Sequence, residues 1–182
     1  MRAKIKGVDV EAKKDFDIRL LKLKNGKHNF AYSINASFFT LYEQSSLHDG
    51  KLEVNLELEK NEATNLLNFS LSGTVKLECD RCLDDIDYPV KSDYKLTVKI
   101  SDEEQTDAEN IMIIPTNNQV VNVADVIYEM IYLALPIKKL CEDVGKECNK
   151  KVIEKLKDLQ SAEDSEDDST DPRWDKLKEL LN

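Results

Sequence analysis

Four cysteines are the residues of this sequence whose types and spacing best fit a chemical role. Cys79 and Cys82 form a C-x-x-C motif, and Cys141 and Cys148 follow with six residues between them. Two thiolates on a tight turn can bind one tetrahedral metal ion, and a second pair from a distant loop can complete its coordination. The sequence therefore predicts a zinc site made by all four cysteines. Four protein ligands would close the coordination shell, so the predicted role of the zinc is structural.

Two other interpretations of the cysteines stay open at this stage. Free cysteines are often small buried hydrophobic residues, but charged residues surround the C-x-x-C motif. These neighbours are Glu78, Asp80, Arg81, Asp84 and Asp85. The third interpretation is a redox dithiol, although such a motif usually opens a helix after a strand, and here both flanks have strand character. The sequence therefore leaves three roles for the cysteines open: a metal site, inert buried thiols and a redox pair.

The rest of the sequence offers little catalytic chemistry. It contains two histidines, His28 and His48, and five glycines, with no glycine-rich phosphate loop. Motifs of the G-x-S-x-G and H-E-x-x-H types are absent, and no pattern combines a nucleophile, a base and an oxyanion hole. We therefore expect a protein that is not an enzyme and takes no small-molecule substrate. A thiol redox protein using the C-x-x-C pair is the alternative function.

Charge is unevenly distributed along the 182 residues, whose formal net charge is −10. Residues 1–27 contain nine basic and four acidic side chains, and residues 138–157 contain seven and four. Residues 158–171 contain seven acidic side chains and no basic one. An acidic protein gains no counterion release from nucleic acid unless its basic residues cluster. The two basic stretches are therefore the candidates for contact with RNA.

The sequence also bears on cellular location. The first thirty residues lack the continuous apolar segment of a secretory signal. The longest apolar run, from Met130 to Ile137, is too short to cross a bilayer. We expect a cytoplasmic protein without membrane contact, in which the cysteines are kept reduced.

Alternating apolar residues predict strands over residues 51–60, 66–77 and 94–100. Short links between them favour an antiparallel meander, in which residues 79–89 cap the junction of the second and third strands. Gly73 takes an apolar position of the second strand, which indicates a bulge.

Further elements are predicted on both sides of this meander. Asn25-Gly26 lies between two apolar runs and predicts a hairpin, because both residues tolerate a positive φ. Residues 111–114 and 120–121 predict two more short strands. Apolar residues at helical spacing predict a helix over 123–135, which packs across the sheet. A second helical pattern covers 149–160.

The C-terminal part is predicted to differ from the body of the chain. Residues 1–157 form the main α+β domain, and the acidic composition of residues 158–171 is typical of a flexible linker. Residues 172–182 predict a short helix, too short to be stable alone. It should dock onto the domain or a partner through its apolar stripe. The candidate partner-binding residues are Trp174, Leu177 and Leu180.

Three stretches together resemble the YceD-like family of large-subunit ribosomal RNA accumulation proteins. They are ECDRCLDDIDYPV at 78–90, IYEMIYLALPIKKLCEDVGKEC at 127–148 and DPRWDKLKELL at 171–181. In that family a C-x-R-C turn follows a strand, a helix ending in L-x-L-P precedes a His/Cys loop, and a Pro-aromatic-x-x-Leu segment closes the chain. Many relatives carry His where this chain has Cys141, an exchange that suits a zinc ligand.

The resemblance implies a role in the synthesis, processing or stability of the large-subunit ribosomal RNA, without a catalytic mechanism. It implies as partners the pre-ribosomal large subunit, its RNA or a ribosome-assembly protein. The expected architecture is an α+β domain whose antiparallel sheet can curl toward a barrel. The C-x-x-C turn and the 141–148 loop are expected to meet at one end of that sheet.

Overall fold

A computed structural model describes residues 12–62, 64–102 and 110–163. Within these residues the chain forms seven strands: β1 (Asp17–Arg19), β2 (Gly26–Ile34), β3 (Gly50–Lys60), β4 (Thr64–Glu78), β5 (Asp85–Ile100), β6 (Ile111–Ile114) and β7 (Val120–Asn122). They are accompanied by three α-helices: α1 (Ala36–Phe39), α2 (Ala124–Leu133) and α3 (Lys150–Glu163). A short 3-10 helix, Cys141–Val144, lies between the last two.

Five of these strands form one open sheet in the order β2-β3-β4-β5-β6. The first four pair antiparallel, as the meander predicts, and β6 joins β5 in parallel. β1 and β7 pair with each other in a separate two-stranded sheet. The predicted α+β class with a mostly antiparallel sheet is confirmed. The suggested barrel is wrong, because β2 and β6 are the free edges of the sheet.

One face of the sheet is apolar, and the opposite face is polar. Along β3, buried leucines and a valine alternate with exposed or half-buried Lys, Glu and Asn residues. The buried residues of β3, β4 and β5 form a single hydrophobic core with α2. Helix α2 contributes the side chains of Ala124, Val126, Ile127, Met130 and Ile131. Each fully buried aliphatic side chain stabilises the fold by about 2 kcal/mol, so the alternation that predicts the strands also decides which face α2 covers.

The helices predicted over 123–135 and 149–160 are confirmed with slightly shifted ends, and the one predicted over 172–182 lies outside the described residues. Helix α2 begins at Ala124, whose backbone N–H donates to the side-chain oxygen of Asn122 at 3.1 Å. It ends at Leu133, shortly before Pro136. Helix α3 continues to Glu163, beyond the expected end at residue 160.

The predicted hairpin at Asn25-Gly26 is wrong. Gly26 begins β2, but β2 pairs with β3, and the apolar run before the turn supplies β1 instead. The expectation that residues 79–89 only cap a junction is also wrong, because β5 already begins at Asp85. Pro89 is tolerated there because β6 pairs only with residues 97–100, which leaves the outer side of β5 unpaired at this point.

Gly73 is required by a close approach of two strands, and the predicted bulge is absent. The register between β3 and β4 continues through it, with Gly73 opposite Leu52. Its φ of +153° is one that other residues rarely adopt. A Cβ atom on this residue would lie against the carbonyl oxygen of Lys51 and 2.5 Å from the Cα of Leu52. The position therefore excludes any side chain.

Among the described residues, none of the helices combines the length and the apolar character that crossing a bilayer requires.

Gly73→Ala should destabilise the domain by about 2–4 kcal/mol, because the added methyl group meets backbone atoms that cannot move without separating β3 from β4. Urea denaturation of the purified protein measures this change. Ser72→Ala, one residue earlier on the exposed face of β4, is the matched control and should change the free energy of unfolding by less than about 0.5 kcal/mol. Equal effects of the two substitutions would contradict the close approach.

Candidate metal centre

The C-x-x-C motif lies in a tight turn between the two longest strands of the sheet. β4 ends at Glu78 and β5 begins at Asp85. The turn is closed by the Cys79 N–H, which donates to the Asp84 carbonyl at 3.0 Å, and by the Leu83 N–H, which donates to the Cys79 carbonyl at 2.9 Å. Leu83 has a φ of +62°, which costs an ordinary residue about 1–2 kcal/mol. The paired strands on both sides impose this conformation on the turn.

The second pair of cysteines lies in the segment that joins α2 to α3. Cys141 opens the 3-10 helix, and Gly145 ends it with a left-handed φ of +71°. This reversal lets the Lys146 N–H donate to the Cys141 carbonyl at 2.9 Å. Cys148 lies two residues before α3, whose first turn is capped by the side chain of Asn149. Both cysteines are therefore held at helix boundaries.

Asp80 and Lys139 clamp the two segments together. The Asp80 N–H donates to the Lys139 carbonyl at 2.8 Å, and the Lys139 N–H donates to a carboxylate oxygen of Asp80 at 2.7 Å. An ion pair between the same two side chains measures 3.5 Å, and a second one joins Arg81 to Glu142 at 3.1 Å. Exposed ion pairs contribute little. The reciprocal hydrogen bonds give the clamp its register, and the Lys139 N–H holds the pKa of Asp80 below its usual value.

The four sulfur atoms lie within 4.8 Å of one another. Those of Cys82 and Cys141 are 3.5 Å apart, and those of Cys79 and Cys148 are 3.9 Å apart. A zinc ion at Zn–S distances of about 2.3 Å holds tetrahedral sulfur atoms about 3.8 Å apart. Three of the cysteines are buried and Cys148 is half-buried. The predicted meeting of these residues is confirmed, and their arrangement fits one metal ion.

The electrostatics of the cluster suit a cation more than four neutral thiols. Burial raises the pKa of Cys79, but the backbone groups of Arg81, Cys82 and Cys141 donate hydrogen bonds to its sulfur. These hydrogen bonds outweigh the burial and lower the pKa of Cys79 to about 6. The pKa values of Cys141 and Cys148 are raised, first by burial. Packed sulfurs cannot all ionise without a compensating positive charge. A bound divalent metal supplies that charge.

Sequence reasoning missed the clamp and could not place every candidate residue. Asp80 and Lys139 resemble ordinary charged surface residues in the sequence, because nothing local indicates that segments 59 residues apart meet.

Two lysines of the basic stretch 138–157 form ion pairs within the protein. Lys139 is bound to Asp80, and Lys150 is paired with Glu147 at 3.2 Å. The candidate docking residues of the C-terminus lie outside the described residues. They are Trp174, Leu177 and Leu180.

Comparison with known proteins gives one match. The family model described as "Large ribosomal RNA subunit accumulation protein YceD" matches residues 67–181, which is more than half of the chain. The matched region starts within β4 and contains all four cysteines, both long helices and the C-terminal segment. No curated protein and no solved structure gives a significant match to this chain.

Asp80→Ala should lower the melting temperature and speed the hydrogen exchange of the Lys139 amide, since it removes the acceptor of the Lys139 N–H. Thermal unfolding and exchange followed by NMR measure the two effects. Asp80→Asn keeps an acceptor oxygen, so its melting temperature and its Lys139 exchange rate should fall between those of Asp80→Ala and the unchanged protein. Asp93→Ala, on the exposed face of β5, is the control and should change neither quantity. Unchanged exchange at Lys139 in Asp80→Ala would contradict the clamp.

Proposed function

Because the chain belongs to the YceD family of large ribosomal RNA subunit accumulation proteins, we propose that it is a non-catalytic ribosome-biogenesis factor. It supports the synthesis, processing or stability of large-subunit ribosomal RNA in the cytoplasm. The observation that carries this proposal is the family match itself. The match spans the cysteine turn, the helix and the C-terminal segment in their family order.

The metal of the cysteine cluster is zinc in this proposal, and its role is structural. Thiolate sulfur is a preferred ligand of zinc, and four of them complete a tetrahedral shell. No coordination position is then left for a reacting water, which supports a binding protein over a hydrolase. A bound zinc ion would supply a cross-link between the β4–β5 turn and the loop before α3. The residues that would hold it are Cys79, Cys82, Cys141 and Cys148.

The partners in this proposal are the pre-ribosomal large subunit, its RNA or a ribosome-assembly protein. Trp174, Leu177 and Leu180 form the docking surface of the C-terminal segment, since their spacing puts one apolar stripe on a short helix. The acidic stretch 158–171 disfavours RNA as the ligand of this segment, because it would repel phosphate groups. A protein partner is therefore the better candidate for the C-terminus.

A thiol redox protein remains the second candidate, favoured by one observation. The pKa of Cys79 is lowered to about 6, which is a property of reactive thiols. The Cys79 side chain is 0% exposed and that of Cys82 4% exposed, whereas a redox pair must reach its substrate. The same low pKa is expected of a metal ligand, so the geometry favours the metal.

Metal analysis of the purified protein should find about one zinc per chain, with thiols that react only after chelation or unfolding. Cys148→Ser should reduce the zinc retained against a chelator by at least about tenfold, because it removes one of four ligands. Glu147→Ser, at the exposed neighbouring position, is the control and should retain the metal. Four freely reactive thiols without metal would support the redox protein instead.

Depletion of the protein in its native cell should selectively reduce the large-subunit ribosomal RNA and leave the small-subunit RNA unchanged. Complementation with the unchanged gene should restore the RNA, and Trp174→Ala should fail to do so if the C-terminal segment binds the partner. Glu179→Ala, on the opposite face of the predicted helix, is the matched control and should complement. Ribosomal subunit profiles and quantified RNA measure these outcomes. Unchanged RNA after depletion would contradict the proposed function.

A further inference from the structure

A row of three tyrosines lies along the exposed side of α2. Tyr42, from the segment after α1, stacks on Tyr128 with ring centroids 3.8 Å apart and planes 15° apart. Tyr128 is followed by Tyr132 one helical turn later, with centroids 4.8 Å apart. All three side chains are half-buried, so part of each ring stays accessible to solvent. Large aromatic surfaces that are stacked but uncovered are typical of interaction sites.

The hydroxyl groups of Tyr42 and Tyr132 are held by the protein, which leaves the exposed parts of the rings for contact. The Tyr132 hydroxyl oxygen accepts from the Ser46 N–H at 2.8 Å and lies 2.8 Å from the Ser46 hydroxyl. The Tyr42 hydroxyl donates to Asp125 at 2.9 Å. Fixed hydroxyls lock the ring orientations, so a ligand would meet a preorganised surface and pay little ordering entropy.

The rings line an open groove of about 570 Å³ whose rim is acidic. Its lining is completed by the segment Leu41–Ser45, which places the carboxylate of Glu43 on the groove. Glu129, next to Tyr128 on α2, is also exposed and close enough to act on Tyr42 electrostatically. Neither Glu43 nor Glu129 has an ion-pair partner in the part of the chain that the structure describes.

The protein already binds one of its own cations at the end of this row. The Lys13 ammonium lies 4.4 Å from the centre of the Tyr42 ring and 2.7 Å from a carboxylate oxygen of Asp125. A cation between a tyrosine face and a carboxylate combines two attractions, a cation–π contact and an ion pair. The Tyr128 and Tyr132 rings and Glu43 line one groove, and no Lys or Arg among the described residues is part of its lining.

We propose that this groove binds an arginine or lysine side chain from a basic segment of a partner protein. The inference deepens the proposed function and rests on it for the partner's identity as a component of large-subunit assembly. The groove's charge supports this occupant, because the exposed glutamates attract a cation. The rings can contact the flat guanidinium group of arginine or the apolar methylene groups of lysine.

Single-stranded RNA is the competing occupant, since bases also stack on aromatic rings. Such sites combine the rings with a positively charged path for the phosphates. Here Lys13, which lies over the Tyr42 ring, is paired with Asp125, and the charged residue in the lining of the groove is Glu43. The electrostatics therefore favour a cationic peptide over RNA.

Fluorescence anisotropy at physiological salt, with the full-length protein and a labelled Gly/Ser peptide that contains arginine, tests the inference. Tyr128→Leu should weaken binding roughly three- to tenfold, because it keeps apolar bulk and all charges but removes the aromatic ring. Tyr128→Phe keeps the ring and should bind like the unchanged protein. Equal affinity of Tyr128→Leu and the unchanged protein would overturn the inference.

Two further measurements distinguish peptide binding at the groove from nonspecific attraction of a basic peptide to an acidic protein. Glu43→Gln with Glu129→Gln should weaken peptide binding more than Glu59→Gln with Glu62→Gln, which removes equal charge at the end of β3 and in the turn after it, outside the lining of the groove. A single-stranded RNA oligomer that binds more tightly than the peptide, and loses affinity in Tyr128→Leu, would assign the groove to RNA and overturn the inference. Failure of peptide binding leaves the depletion result unchanged, so the two proposals fail separately.

Discussion

The antiparallel pairing of β4 with β5 is the constraint on which the rest of this structure depends. It runs without interruption from the Thr64–Lys99 pair to the Glu78–Asp85 pair. The long pairing fixes the turn that carries Cys79 and Cys82 at one end of the sheet. It also fixes the apolar face on which α2 packs. Because the chain leaves α2 near that same end, the segment with Cys141 and Cys148 returns to the turn.

Packing and metal chemistry are coupled in the cysteine cluster. Cys79, Cys82 and Cys141 are part of the hydrophobic core as well as the candidate metal site. Neutral thiols suit an apolar core, but thiolates are costly there unless a cation compensates them. The backbone donors around Cys79 already favour one thiolate. The cluster therefore stabilises the end of the sheet most when a divalent metal converts the remaining thiols into ligands.

The local elements were predictable, and their long-range partners were not. Alternation along β3 and the helical spacing along α2 identify these elements, because burial of one face is a local property of sequence. The strand before Asn25 failed as half of a hairpin because its partner, β7, is a hundred residues away. The first half of β5 was missed because Pro89 and the acidic residues obscured the alternation of Ile86, Tyr88 and Val90. The cysteine cluster was predictable because four cysteines are a recognisable set of metal ligands. The clamp was not, because Asp80 and Lys139 look in the sequence like any other charged surface residues.

Helix α2 joins the metal centre to the tyrosine groove, so the two sites are not independent. Tyr132 lies in its last turn and is tied at its hydroxyl to Ser46. Seven residues later, Lys139 is tied to Asp80 at the cysteine turn. The end of α2 is thus anchored on both sides. A metal ion bound by the four cysteines would hold the segment after α2 more firmly and would thereby order Tyr132 and the groove. Because coupling between two binding sites is reciprocal, a ligand that ordered the groove would raise the affinity of the cysteines for the metal by the same factor. The proposed metal centre and the proposed groove would then stabilise each other through the end of α2.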